Sequence, residues 1–119
     1  MKIAVTATGT DLSSNVDPRF GRAQYFLIVD TENGEDIVID NQESMDLSRG
    51  AGIQSAESLD KNNVKVLLTG HCGPNAFQTL SAAGIKVIVG VEGTVNDAVE
   101  RFKKGEYEFT DSADVTNHW

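Results

Sequence analysis

The sequence is poor in the residues that most often carry metal and redox chemistry, and poor in positive charge. It has one cysteine, Cys72, so no intrachain disulfide forms, and no Cys-x-x-Cys pair exists for a zinc site or thioredoxin-type exchange. Its two histidines, His71 and His118, are too few to enclose a metal without carboxylates or an external ligand. Ten Lys and Arg stand against 18 Asp and Glu, a net charge of −8. That balance argues against nucleic acid, whose phosphates are held through many cationic contacts. No apolar run nears the ~20 residues of a membrane span. The opening Met1-Lys2-Ile3-Ala4-Val5 enters a strand pattern directly, with neither the apolar region nor the cleavage site of a signal peptide. A cytoplasmic location is therefore expected.

What is present suits one small globular domain. At 119 residues, 39% apolar and 24% charged, the chain is of ordinary soluble composition and buries roughly two-thirds of its unfolded surface. Residues 2–7 read as a strand buried on both faces, and 8–18 as a loop rich in turn formers. Strand patterns at 24–30 and 36–40 flank Asn33-Gly34, which predicts an antiparallel hairpin. Residues 42–50 read as a polar linker. Beyond it the period lengthens: Ala51, Ile53, Ala56 and Leu59 predict a helix over 51–61. A strand over 64–69 precedes a helix that opens on Pro74, harmless in a first turn, and stops at Gly84. After a strand over 85–89, Thr94 caps a helix carrying Val95, Ala98, Val99 and Phe102. The domain is thus expected over 1–105. Residues 106–119 have no sustained period and read as a polar, partly disordered tail, with His118 solvated beside Trp119.

The order β-β-β-α-β-α-β-α, antiparallel at first and then parallel, predicts a five-stranded mixed sheet with helices on both faces. In such folds ligands gather beyond the carboxyl ends of the parallel strands. Three loops are expected to converge there: 7–10, 70–73 and 90–93, with Gly50-Ala51-Gly52 close by.

Thr69-Gly70-His71-Cys72-Gly73-Pro74-Asn75 joins a strand end to a helix start. Its N–H groups and the helix dipole suit an anion, and the alternative is a plain tight turn with an incidental His-Cys pair. Cys72 is a nucleophile, a metal ligand or a small buried hydrophobe on the same evidence. In Asp17-Pro18-Arg19-Phe20-Gly21-Arg22 two arginines make a local cationic point in an acidic chain. Arginine offers planar, multi-donor contacts to anions, and Phe20 reads as core. Gly50-Ala51-Gly52 lacks the Lys-Ser/Thr of a P-loop, which disfavours nucleotide.

Taken in order, Arg19-Phe20-Gly21-Arg22-Ala23, Gly50-Ala51-Gly52-Ile53-Gln54-Ser55-Ala56 and Gly73-Pro74-Asn75-Ala76-Phe77 resemble the dinitrogenase iron–molybdenum cofactor-binding family. Residues 68–76 and 80–85 are most similar to its orange-protein branch. The resemblance spans about residues 2–104 and implies a three-layer α/β/α, ribonuclease H-like fold without nuclease chemistry. It also implies a non-enzymatic carrier of an anionic metal–sulfur cluster, in this branch a molybdenum–copper sulfide cluster held non-covalently. MinD/ParA-type ATPases are the implied partners, and a regulatory module for such an ATPase is the alternative function. The cofactor-binding residues expected are Arg19, Phe20, Gly21, Arg22, Gly50, Gly52, Gly70, His71, Cys72, Gly73 and Asn75, with Cys72 and His71 as metal contacts. Where nitrogenase cofactor carriers often have His before Phe-Gly, this chain has Arg19, which implies charge pairing in place of coordination.

Overall fold

Alternating apolar residues along the first strand leave no polar face, and the chain answers by burying that strand in the middle of a sheet. The computed structural model describes residues 1–45, 47 and 50–114. Its elements run β1 (Lys2–Ala7), β2 (Tyr25–Asp30), β3 (Asp36–Asp40), α1 (Gln42–Met45), α2 (Ala51–Lys61), β4 (Val64–Leu68), α3 (Pro74–Ala82), β5 (Lys86–Ile88) and α4 (Val95–Lys103). The sheet order is β3-β2-β1-β4-β5. β2 is antiparallel to β1 and β3, whereas β4 is parallel to β1 and β5. The expected five-stranded mixed α/β sheet is present.

Because successive side chains of a strand point to opposite faces, β1 feeds two cores. Ala4, with Phe26, Ile28, Leu67 and Val87, packs against Ala56 and Leu59 of α2 and Ala76 and Leu80 of α3. Ile3 and Val5, with Leu27, Val29, Val66 and Leu68, pack against Val95, Ala98 and Val99 of α4. Each helix precedes or follows a parallel strand, so α2, α3 and α4 all begin at the end where β1, β4 and β5 finish. That end positions the site.

Two expectations need correction. The linker over 42–50 contains the short helix α1, whose first turn is preceded by Asp40 accepting from the Gln42 N–H at 2.8 Å. The tail, read as aperiodic, lies against the domain over 106–114. Thr110 N–H donates to the Val87 carbonyl at 2.7 Å, the Val89 N–H donates to Thr110 Oγ1 at 3.2 Å, and Lys86 Nζ stands 5.4 Å from the Phe109 ring centre. A segment pinned by single contacts along a strand edge leaves no periodic pattern. His118 and Trp119 lie outside the described residues.

Candidate functional site

The crevice between the ends of β1 and β4 is filled by the chain itself. Thr6 Oγ1 donates to the Asp17 carbonyl at 2.7 Å and shares a hydrogen bond of 3.0 Å with Thr69 Oγ1, both threonines being buried. The Asp17 N–H returns a bond to the Thr6 carbonyl at 2.9 Å. This lays residues 17–20 across the strand ends. Asp17 Oδ1 then accepts the Arg19 N–H at 3.0 Å, and the Phe20 N–H donates to the His71 carbonyl at 3.2 Å. Arg19 is set beside His71 as a parallel bridge pair. Its side chain is exposed, and its guanidinium makes no hydrogen bond or ion pair among the described residues.

Three glycines, Gly21, Gly52 and Gly70, lie where one segment rests directly on another. A Cβ on Gly70 would stand 2.7 Å from Pro18 Cα. One on Gly21 would stand 2.7 Å from Gly52 N, and one on Gly52 would stand 2.7 Å from Ala76 Cβ. Real Cβ atoms do not approach so closely, because the packed interior has no slack to give. The loop at 19–23, the start of α2 and the start of α3 are therefore stacked in one column. Of the glycines expected to touch a cofactor, Gly21 and Gly52 form this stacking, and Gly70 lies against Pro18. Phe20 is likewise no rim contact: it is fully buried, its ring 5.5 Å from that of Phe26. Asn41 ties the column from inside, donating to the Gly21 and Ala23 carbonyls at 3.3 and 2.8 Å and accepting from Ser55 Oγ at 3.1 Å. Arg22 donates to the Leu47 carbonyl and so braces the segment before α2.

Helix starts differ in a way that matters to an anion. α4 closes its own first turn with a capping box between Thr94 and Asp97, the arrangement that satisfies two orphan N–H groups reciprocally. α2 opens on Gly50 and α3 on Gly73, and neither has a side-chain cap. The partial positive charge of those two ends is left to solvent or a guest. Gly50, Pro74 and Asn75 are exposed there, and Gly73 is buried.

His71 and Cys72 face opposite ways. Cys72 is fully buried in the core beneath α2 and α3. Burial first, and the Asp114 carboxylate second, push its thiol up to about 12. In this fold Cys72, expected as a metal contact, is placed as a neutral side chain of the core. His71 is half-exposed, and its Nδ1 lies 2.8 Å from Asp114 Oδ2. Asp114 Oδ1 accepts the Cys72 N–H at 2.8 Å, and the Asp114 N–H donates to the Cys72 carbonyl at 3.2 Å. Among the described residues no group of three or more His, Cys, Asp or Glu is placed to hold a metal ion. The sequence reading missed Asp114, since nothing in an aperiodic acidic tail marks one carboxylate from another.

A separate cleft of about 620 Å³ lies along the exposed side of α2, lined among others by Asp40, Glu43, Gln54, Glu57 and Lys61. Of the expected site residues it holds Gly50 alone, and its carboxylates repel an anion. No helix among the described residues is long and apolar enough to cross a membrane.

Fold and site together define a small α/β protein whose loops gather at one end of a mixed sheet around an exposed arginine. The chain belongs to the dinitrogenase iron–molybdenum cofactor family, whose sequence profile matches residues 1–105. It is similar to the apo form of the orange protein of Desulfovibrio gigas, at 49% identity, with 96% of each chain covered and a TM-score of 0.94. An NMR structure from Thermotoga, provisionally described as a NifB protein, is 39% identical over 96% of this chain and 98% of that one, with a TM-score of 0.82. An uncharacterised protein of Methanocaldococcus jannaschii is 30% identical, covering 91% of this chain and 90% of the relative.

Proposed function

We propose that the protein binds and carries an anionic metal–sulfur cluster of the molybdenum–copper sulfide kind, without covalent attachment and without catalysis. The observation that carries this reading is Arg19. It is an exposed guanidinium with no partner among the described residues, beside His71, at the end where α2 and α3 start uncapped. In a chain of net charge −8, a cation left unpaired at a cluster of helix N-termini is a place for an external anion. Family membership and likeness to the orange protein support a metal–sulfur cluster as that anion. A guest held by charge and N–H donors needs no thiolate, in keeping with the buried Cys72.

The test is to add tetrathiomolybdate and copper(I) to the apo-protein under anaerobic conditions. A visible chromophore that elutes with the protein from a desalting column is the expected result. Colour that separates from the protein defeats the proposal.

A further inference from the structure

The loop at 70–73 already holds an anion, and that anion belongs to the chain. We propose that residues 110–114 form a strap whose Asp114 carboxylate is a built-in competitor for the anion site, so that a guest loads there by displacing the tail. The inference rests on the anion-binding reading above for where a guest enters. It adds that the free site is closed by the protein itself.

Three observations carry it. Asp114 meets the loop through both carboxylate oxygens, taking the Cys72 N–H at 2.8 Å and standing 2.8 Å from His71 Nδ1. These are the donors that an anion arriving at the start of α3 would use, since Cys72 precedes the Gly73 cap directly. The strap is also lightly built. Tyr107, next to α4, packs against the core beneath that helix. Beyond it the segment is fixed by the Thr110 bridge to Val87 and by Phe109, half-exposed, under Lys86, and residues 108–114 belong to neither core. Finally, α4 shows the alternative: there Asp97 and Thr94 cap from within the helix's own first turn, so that carboxylate cannot leave without the helix. A carboxylate reaching 42 residues along the chain to one loop N–H is a contact that forms and breaks with the tail.

A site whose open form is only partly populated binds its ligand more weakly by that fraction. Removing the internal carboxylate therefore raises affinity. Asp114→Ala and Asp114→Asn of the full chain are compared with the parent protein, with tetrathiomolybdate alone as the probe and the Cys72 amide resonance as the local reporter. Affinity at that amide rises on the order of tenfold in Asp114→Ala. It rises less in Asp114→Asn, whose amide oxygen still accepts the N–H. In the parent protein, saturating probe frees residues 110–114, read as a fall in their heteronuclear order. Equal affinity in all three proteins overturns the strap, as does a tail that stays docked at saturation, or a probe that never reaches Cys72. If Asp114→Ala gains affinity while no copper-dependent chromophore forms in any of the proteins, the strap stands and the cluster reading falls.

Discussion

Burial pushes the Cys72 thiol up to about 12, and the Asp114 carboxylate adds to the rise. An acid whose folded pKa is raised favours its neutral form in the fold. Its stabilising effect is complete below the unfolded thiol pKa and is lost as pH climbs toward the folded value. Stability of the parent protein therefore falls between about pH 9 and 12 from this group, and Cys72→Ala lacks that part of the fall. Denaturant melts of both proteins across the window check it. Cys72→Ala also costs roughly 1–2 kcal/mol at neutral pH as a core truncation. Iodoacetamide labels the native thiol far more slowly than the unfolded one, and equal rates would contradict the buried assignment. At Arg19 the expectation is opposite in kind. Arg19→Ala changes stability by less than about 0.5 kcal/mol, yet weakens cluster retention roughly tenfold or more through loss of a charge-assisted donor. Residue identity alone separated these two poorly. A cysteine beside a histidine reads as chemistry until its Sγ is found in the core, whereas Arg19 is marked by being a cation where the chain is otherwise acidic.

The elements were legible where a pattern had to be satisfied along their whole length. The helix over 51–61 and the hairpin around Asn33-Gly34 stand where periodicity and turn chemistry place them. The strand expected over 85–89 is trimmed to Lys86–Ile88. The Ile85 N–H closes the end of α3 by donating to the Leu80 carbonyl at 2.9 Å, and the Val89 N–H goes to Thr110. What the pattern could not reveal is which glycines are contacts between elements. A Gly in a first turn reads as an anion cradle, and only Ala76 on α3 explains Gly52 on α2. Replacing a helical Gly by Ala usually gains about 0.5–1 kcal/mol. Here Gly52→Ala instead loses on the order of 1 kcal/mol, because its Cβ forces α2 and α3 apart. In an Ala76→Gly background the same change becomes favourable, and a double-mutant cycle reads the coupling. Gly21→Ala is worse, since its Cβ meets the backbone of Gly52, which cannot rotate away. A Gly52→Ala variant as stable as the parent would mean that α2 and α3 do not rest on each other there.

At the scale of the molecule, the segments at 19–23, 50–56 and 73–77 are consecutive layers of one column, with Gly21 on Gly52 and Gly52 on Ala76. Their order in the chain is the order of stacking. The column sets the uncapped start of α2 against the loop at 19–23, and Asp40, Glu43 and Glu57 line the cleft beside α2. Two carboxylates do stand at the site: Asp17, which takes the Arg19 N–H, and Asp114, brought back by a tail whose composition alone suggested no structure. The most direct test of the account is amide chemical-shift mapping of the full chain as tetrathiomolybdate and copper(I) load it. The account predicts that the largest changes gather at Arg19, Gly50 to Gly52 and His71 to Asn75. Changes gathered instead along Asp40, Glu43 and Glu57, with the Arg19 and Cys72 amides unmoved, would contradict it.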